Sequence, residues 1–465
     1  MLFSSMIFLW LFLPVVFLVS RVLPPRGQNV FLLLASLFFY AWGEPAYILL
    51  MLLSIFLNWG GGMLLERFPT VRKGILWADI VLNLTLLGYF KYLGLFARTL
   101  NHLLPGKGVT VPQIALPIGI SFFTFQALSY VIDVYRGECR VQHNLLSLAL
   151  YISFFPQLIA GPIVKYKDVN DQIAERTLSR EKLVSGIRRF IYGLAKKVLI
   201  SNVLARSADR IFALDMGELT GALAWTAAFL YTFQIYYDFS GYSDMAIGLG
   251  RMFGFEFHEN FRYPYLSLSV REFWRRWHIS LSTWFREYVY IPLGGNRKGT
   301  FRTYVNLGLV FLLTGFWHGA SYNFIFWGLY HGAFSIAERL GLSGFLERHK
   351  VTAFCYTFLA VHFGWILFRI ESMRGILEFG KRILLPWQHR VSHYSVWEFV
   401  NLHTLFILLC AVSGMGIIQK YLAKRGWNER WAGSLPEMVY CMALLFFCIS
   451  ALAGNTYNPF IYFRF

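Results

Sequence analysis

The sequence predicts an all-α polytopic membrane protein with roughly ten or more transmembrane helices, supplemented by re-entrant and interfacial helices. Three observations carry this expectation. Of 465 residues, 57% are hydrophobic and only 15% charged, too little polar material to clothe a soluble surface. Apolar runs recur from end to end, at 2–20, 30–42 with its continuation, 46–65, 74–90, 114–132, 222–237, 304–318, 352–368, 402–418 and 437–454. The formal net charge of +18 lies in the short connections between these runs, which is the positive-inside pattern and not the basic face of a nucleic-acid binder. The chain reads as one integral-membrane domain, 1–465, with its motifs concentrated at about 114–335 and C-terminal helices at 352–454.

Along the chain, the run 2–20 has no charge before it and no small-residue cleavage site after it, so it reads as a span and not a signal peptide. Arg21 and Arg26 follow it, which predicts an outside N-terminus. The Glu44-Pro45 link then falls outside, and Arg67, Arg72 and Lys73 inside. This alternation breaks at 144–164: Arg136 and Arg140 precede the run, Lys165, Lys167, Arg188, Arg189, Lys196 and Lys197 follow it, and both flanks favour the cytoplasm. Pro156, Gly161 and Pro162 interrupt the run itself, so a re-entrant segment that dips in and returns is expected. The polar connections 166–182 and 371–398 are too short for separate domains. Cys139, Cys355, Cys410, Cys441 and Cys448 show no CxxC spacing and read as small packing residues.

The stretch from Ser269 to Asn323 is the most informative. Ser269-x-x-Glu272 is a capping box, so a helix is expected from near Val270 until Pro292 and its glycines stop it. Phe273, Trp277, Leu281, Trp284 and Tyr288 form an apolar stripe, and Arg271, Arg275, His278, Ser282 and Arg286 a basic one. Such a helix suits a membrane–water interface. The run Tyr304 to Trp317 carries no charge and ends at His318, about 24 Å along a helix from Arg302. In a hydrocarbon core ~30 Å thick that is deep, and an ionisable group there marks function by default. Gly315 and Gly319 flank it and permit close backbone approach.

The other histidines divide by position. His331, in WGLYHG, suits either a functional or a packing role. His102, His143, His349, His389 and His393 lie in connections, His258 in the 254–265 link, and His362 and His403 in or beside apolar runs. A metal site of His278, His318 and His331 would lack i, i+4 ligand pairs and an HExxH element, so no metal is expected. Asp238 and Asp244, in YYDFSGYSD, suit either a hydrogen-bonded network between helices or the orientation of a base or substrate. No Walker loop, GxSxG elbow or dinucleotide-binding unit occurs.

Several longer stretches are distinctive: PIGISFFTFQ (117–126), YVIDVYR (130–136), FFPQLIAGP (154–162), YDFSGYSDMAIG (237–248), FWRRWHISLSTWFR (273–286), YIPLGGNR (290–297), LTGFWHGA (313–320), WGLYHG (327–332) and the ending NPFIYFRF (458–465). In this order they resemble the membrane-bound O-acyltransferases, in particular the bacterial branch that includes the membrane component of alginate O-acetylation. The resemblance runs from about residue 30 to 335. It implies a ring of tilted helices around a thin centre with a central tunnel, in the bacterial inner membrane. It also implies a cytoplasmic funnel for acyl-CoA and hand-over of the acyl group to an acceptor on the other face. By motif, His318 is the catalytic histidine and His278 its upstream polar partner.

The chemistry that follows from the resemblance is acetyl transfer, with acetyl-CoA as donor substrate and no bound cofactor. His318 would act as general base on an acceptor hydroxyl, with an acyl-histidine intermediate as the variant. His278 would orient the acceptor or thioester, or stabilise the oxyanion. Arg275, Arg276, Arg286, Arg297 and Lys298 are candidates for the coenzyme's phosphates, a role that competes with simple positive-inside anchoring. Trp277, Ser282, Asn296, Trp317, Asp238, Asp244 and His331 complete the candidate substrate-binding set. The expected partners are membrane lipids, an extracytoplasmic acetyl-accepting protein and a polysaccharide as ultimate acceptor. Alternatives with the same fold are peptidoglycan O-acetylation and D-alanyl transfer to teichoic acid from a carrier-protein donor. A secondary transporter, suggested by broken segments but lacking paired inverted halves, and a non-catalytic envelope scaffold are the readings from other classes.

Overall fold

The computed structural model describes residues 1–104, 108–388, 392–454 and 457–461; His389 and the last four positions of the NPFIYFRF ending lie outside them. Every regular element among the described residues is helical. The chain divides into two compact units, one of Met1–Phe190 with Ser243–His258 and the other of Ile191–Tyr242 with Glu259–Phe465.

In the first unit, helix Ile120–Arg136 packs against Ile48–Arg67 and Arg72–Leu87. The approach is close because Gly62 faces Tyr130, where a Cβ would stand 2.4 Å from the tyrosine hydroxyl. Polar groups inside these helices pair with each other, since lipid offers no substitute for water. The side-chain amides of Asn58 and Asn83 exchange two hydrogen bonds of 3.1 Å, and Lys91 Nζ donates to Ser121 Oγ at 3.1 Å. The run 144–164 forms helix Leu145–Ser153, a break at Phe154, the four-residue turn Phe155–Leu158 and then irregular chain. Nine helical residues rise only about 13.5 Å, so no single helix crosses here. The break is buried, and its backbone groups find side-chain partners: Phe155 N–H donates to Ser36 Oγ at 3.1 Å, and the Tyr151 carbonyl accepts from Gln157 Nε2 at 2.5 Å.

In the second unit, helices Thr300–His318 and Tyr322–Ala337 form a hairpin that packs on Lys350–Arg369. The hairpin crosses at two glycines. A Cβ on Gly315 would lie 2.2 Å from the Phe324 carbonyl oxygen, and one on Gly328 would lie 2.3 Å from that of Phe311. His318 and His331 each follow one of these glycines by three residues, so the crossing sets where both imidazoles emerge. Elsewhere in this unit Lys197 and Asp238 form a buried ion pair, Nζ to Oδ1 2.5 Å. Its remaining capacity is filled by the backbone near the C-terminus: Lys197 donates to the Pro459 carbonyl, and Asp238 Oδ2 accepts the Ile461 N–H at 2.9 Å.

The expected ten or more membrane spans are not found. Among the described residues four helices are long and apolar enough to cross: Ile48–Arg67, Pro69–Leu103, Lys350–Arg369 and Leu435–Ala453. A fifth is reached if Leu402–Ser413 and Ile417–Lys424, bent by 46°, count as one. The other runs fall short for physical reasons. Those at 2–20 and 30–42 lie in the shorter apolar helices Phe8–Val22 and Gly27–Ala41, each about 22 Å long. The run 114–132 is irregular chain as far as Gly119, and the residues from Ile120 to Val131 are buried in protein. The run 222–237 belongs to helix Gly221–Met252, whose polar positions include Gln234 and Asp238. An apolar run therefore marks burial, but not whether lipid or protein does the burying.

The glycine crossing is testable. Gly328→Ala is expected to lower the thermal unfolding midpoint of the detergent-purified protein, with a destabilisation of about 1–3 kcal/mol from overpacking. Gly308→Ala on the other helix of the hairpin, where a Cβ meets nothing within 4 Å, is expected to be neutral or slightly stabilising.

Candidate active site

The single helix expected from Val270 to Pro292 is broken. It starts as read: Ser269 Oγ accepts the Glu272 N–H at 3.0 Å, and the buried Glu338 carboxylate takes the N–H groups of Val270 and Arg271 at 2.6 and 3.1 Å. It then ends at Arg276 and resumes as Ile279–Phe285, followed by a π-helical turn, Arg286–Tyr290. In an unbroken helix the N–H groups of Ile279 and Ser280 would bond to the carbonyls of Arg275 and Arg276. Both instead donate to Asn260, Ile279 to its backbone carbonyl at 3.0 Å and Ser280 to its side-chain oxygen at 3.1 Å. The Arg276 carbonyl accepts the Arg262 N–H at 2.9 Å.

This break moves His278. On a continuous helix it would share the basic stripe; here its backbone adopts φ 45°, ψ 54°, a left-handed conformation that costs a non-glycine residue roughly 1–2 kcal/mol. The imidazole is only 1% exposed and stands edge-on to the Phe239 ring at 4.6 Å. Its Nδ1 lies 3.2 Å from Asn260 Oδ1 and 3.5 Å from Ser280 Oγ. Burial pushes the His278 imidazole down to about 3, so it is neutral at physiological pH.

His318 closes its helix at 5% exposure. Its ring is walled by Trp317 at 5.0 Å, Trp327 at 5.0 Å and Phe368 at 5.2 Å. Trp317 also lies 6.0 Å from the His278 ring, so one indole borders both histidines. His331, fully buried, sits behind Trp327 at 5.1 Å and against Trp274 at 5.1 Å. Gly364 faces its Nε2 closely enough that a Cβ would stand at 2.5 Å. The interior histidines are thus placed among aromatic rings, which exclude water without supplying charge.

The remaining expected residues separate into two groups. Arg275, Arg286, Asn296, Arg297 and Lys298 are exposed. Asn296 lines a cavity of about 500 Å3 together with Arg271, Arg339, Thr303 and Ser343. Arg276 is paired with Glu272 at 2.5 Å, Trp277 is packed in the core 4.7 Å from Trp365, and Ser282 is half-buried with its N–H on the His278 carbonyl at 3.1 Å. The two carboxylates of YYDFSGYSD are held by cations, Asp238 by Lys197 in the second unit and Asp244 by Arg189 at 2.7 Å in the first. Among the described residues no group of three or more His, Cys, Asp or Glu is placed to hold a metal ion. Sequence reasoning missed Asn260, Phe239, Trp327 and Phe368, which contact the two histidines from 18 to 50 positions away or from the next helix. Only Asn260, an amide in a polar link within a membrane protein, gave any local signal.

The burial of His278 has a pH signature. Its folded value lies below the unfolded value of about 6.5, so the unfolded chain binds more protons between the two. Its contribution is therefore undiminished above about pH 6.5 and is lost as pH falls toward about 3, by roughly 1.4 kcal/mol per unit. The thermal midpoint is expected to drop on acidification from about pH 7 to about pH 5, and to drop less in His278→Gln.

Comparison with known proteins identifies the family. Residues 75–370 match the membrane-bound O-acyltransferase family. The probable alginate O-acetylase AlgI of Pseudomonas putida is 40% identical over an alignment of 493 residues covering 100% of both chains. The probable alginate O-acetylase AlgI of Pseudomonas aeruginosa is 38% identical over 527 residues, again covering 100% of both. The peptidoglycan O-acetyltransferase of Helicobacter pylori is 37% identical over 442 residues, covering 86% of this chain and 83% of its own. With its helices long and apolar enough to cross a bilayer several times, the chain belongs to the membrane-bound O-acyltransferase family and is a multi-pass membrane enzyme that transfers acyl groups to oxygen.

Proposed function

We propose that this enzyme takes an acetyl group from cytosolic acetyl-CoA and delivers it through the bacterial cytoplasmic membrane to a hydroxyl of an extracytoplasmic acceptor. The pathway it serves is O-acetylation of an exopolysaccharide such as alginate, by way of a partner protein that receives the acetyl group. The observation that carries this reading is the match, over the whole chain, to proteins named as probable alginate O-acetylases.

In this reading an unprotonated His318 is the general base. The acceptor hydroxyl attacks the thioester carbonyl, its proton passes to the imidazole, the C–S bond breaks, and the proton then goes to the leaving thiolate to give ester and thiol. His278 orients the acceptor or thioester, or stabilises the oxyanion. The exposed Arg275, Arg286, Arg297 and Lys298 bind the phosphates of the donor. Trp317, which borders both imidazoles, keeps water from the reacting carbon. Transfer to peptidoglycan is the second reading, favoured by the Helicobacter pylori relative.

The test uses purified protein in detergent with acetyl-CoA labelled on the acetyl group, with and without an extract of the host envelope. Release of CoA that needs both the extract and His318 supports the reading, and the labelled product names the acceptor. No release by a folded protein in the presence of extract would overturn it and point to a carrier-protein donor. His318→Ala is expected to lower kcat by about 10²–10⁴ with an unchanged thermal midpoint. Replacing Arg275 and Arg297 together by Gln is expected to raise KM for acetyl-CoA about tenfold with little effect on kcat, the pattern of lost uniform binding.

A further inference from the structure

Asn260 lies outside every motif of the family resemblance, yet it is bonded to both sides of the His278 turn. Its side-chain oxygen accepts the backbone N–H of Ser280 at 3.1 Å. A peptide N–H can only donate, so the amide atom facing it must be the oxygen, and the orientation of the amide is thereby fixed. His278 Nδ1 stands 3.2 Å from this same oxygen. Two lone pairs at that distance would repel, so Nδ1 carries a hydrogen and donates it. Ser280 Oγ gives its one hydrogen to the same oxygen at 3.0 Å, which leaves none for Nδ1, 3.5 Å away. A neutral imidazole has one N–H, which leaves Nε2 with a bare lone pair.

The backbone supports the arrangement. Asn260 takes the Ile279 N–H on its own carbonyl at 3.0 Å, so the two residues that flank the ring's orientation are tied at main chain and side chain together. The left-handed conformation of His278 is retained where these bonds over-determine it, and strain of that kind clusters at functional positions. Phe239 lies edge-on to the ring at 4.6 Å and limits its rotation.

We propose that Asn260 is a positioning residue for acyl transfer, fixing His278 in the Nδ1–H tautomer so that Nε2 meets the substrate as a lone-pair acceptor. This deepens the acyl-transfer reading and rests on it. Of the roles open to His278, stabilising an oxyanion requires a donated hydrogen that the neutral ring does not have at Nε2. The role that remains is orientation of a substrate group that brings its own hydrogen, an O–H of the acceptor or an N–H of the donor's pantetheine arm.

The full-length protein labelled with ring-15N histidine gives the first test, with His278→Gln to identify the signal. A protonated Nδ1 and a bare Nε2 are expected for His278 in the wild type and in Asn260→Asp, and a shift of the population toward Nε2–H in Asn260→Leu. Kinetics give the second. Asn260→Leu is expected to lower kcat about a hundredfold, as a misplaced reacting group does, with KM for acetyl-CoA within a few-fold of wild type. Asn260→Asp is expected to recover much of that rate and to move the acid limb of the pH–rate profile upward, because a carboxylate beside Nδ1–H favours the charged ring. A purely structural asparagine would leave the limb where it is. An Nε2–H signal in the wild type, or an unmoved acid limb in Asn260→Asp, overturns the proposal. Absence of acyl transfer by the wild type overturns the acyl-transfer reading instead, and the nitrogen spectrum then decides the tautomer alone. A misfolded Asn260→Leu would leave the wild-type spectrum and Asn260→Asp to decide it.

Discussion

Two peptide N–H groups, those of Ile279 and Ser280, bond to Asn260 and not to the turn of helix before them, and the arrangement of the site depends on that exchange. Had they completed the helix, His278 would have stayed on a stripe with Arg271, Arg275 and Arg286, facing the same way as three guanidinium groups. Because they do not, the imidazole is turned inward against Phe239 and toward Trp317, where it is neutral and dry. The exchange conserves hydrogen bonds, so the break needs little compensation beyond the strain of one left-handed residue. It also splits the stripe: Arg275 and Arg286 remain exposed, while the histidine is buried.

Much of this was legible in the residues, but unevenly. His318 stood out because an ionisable group at the end of an uncharged run has no inexpensive structural explanation in lipid. The glycines beside it were read as points of close approach, and Gly315 does meet a neighbouring backbone. The start of the Val270 helix followed from the capping box, which is a local device readable from four residues. What defeated the reading was every feature that depends on a partner distant in sequence. The periodicity of 270–291 is helical throughout, and nothing within it announces that Asn260 will intercept two of its donors. The walls of the site have the same character, since Trp327 and Phe368 are two of many aromatic residues until the hairpin brings them against His318.

The count of spans failed for a related reason. Hydropathy treats an apolar side chain alike whether its neighbour is a lipid tail or another helix. The residues from Ile120 to Val131 satisfy that criterion by lying inside the protein, and the segment from Leu148 to Val164 does so through short broken pieces whose polar groups bond to Ser36 and to one another. Such segments inflate any tally made from composition.

The Lys197–Asp238 pair has a consequence for the order of biosynthesis. Its acid is completed by the Ile461 N–H, 223 positions further along, and its base by the Pro459 carbonyl, 262 positions further along. A ribosome delivers these partners long after both charges have been made, so through much of synthesis the two ions lack them. The second unit therefore reaches its final internal bonding only once residues 459–461 have emerged, and a chain stalled before them leaves a charged pair half-satisfied in its interior.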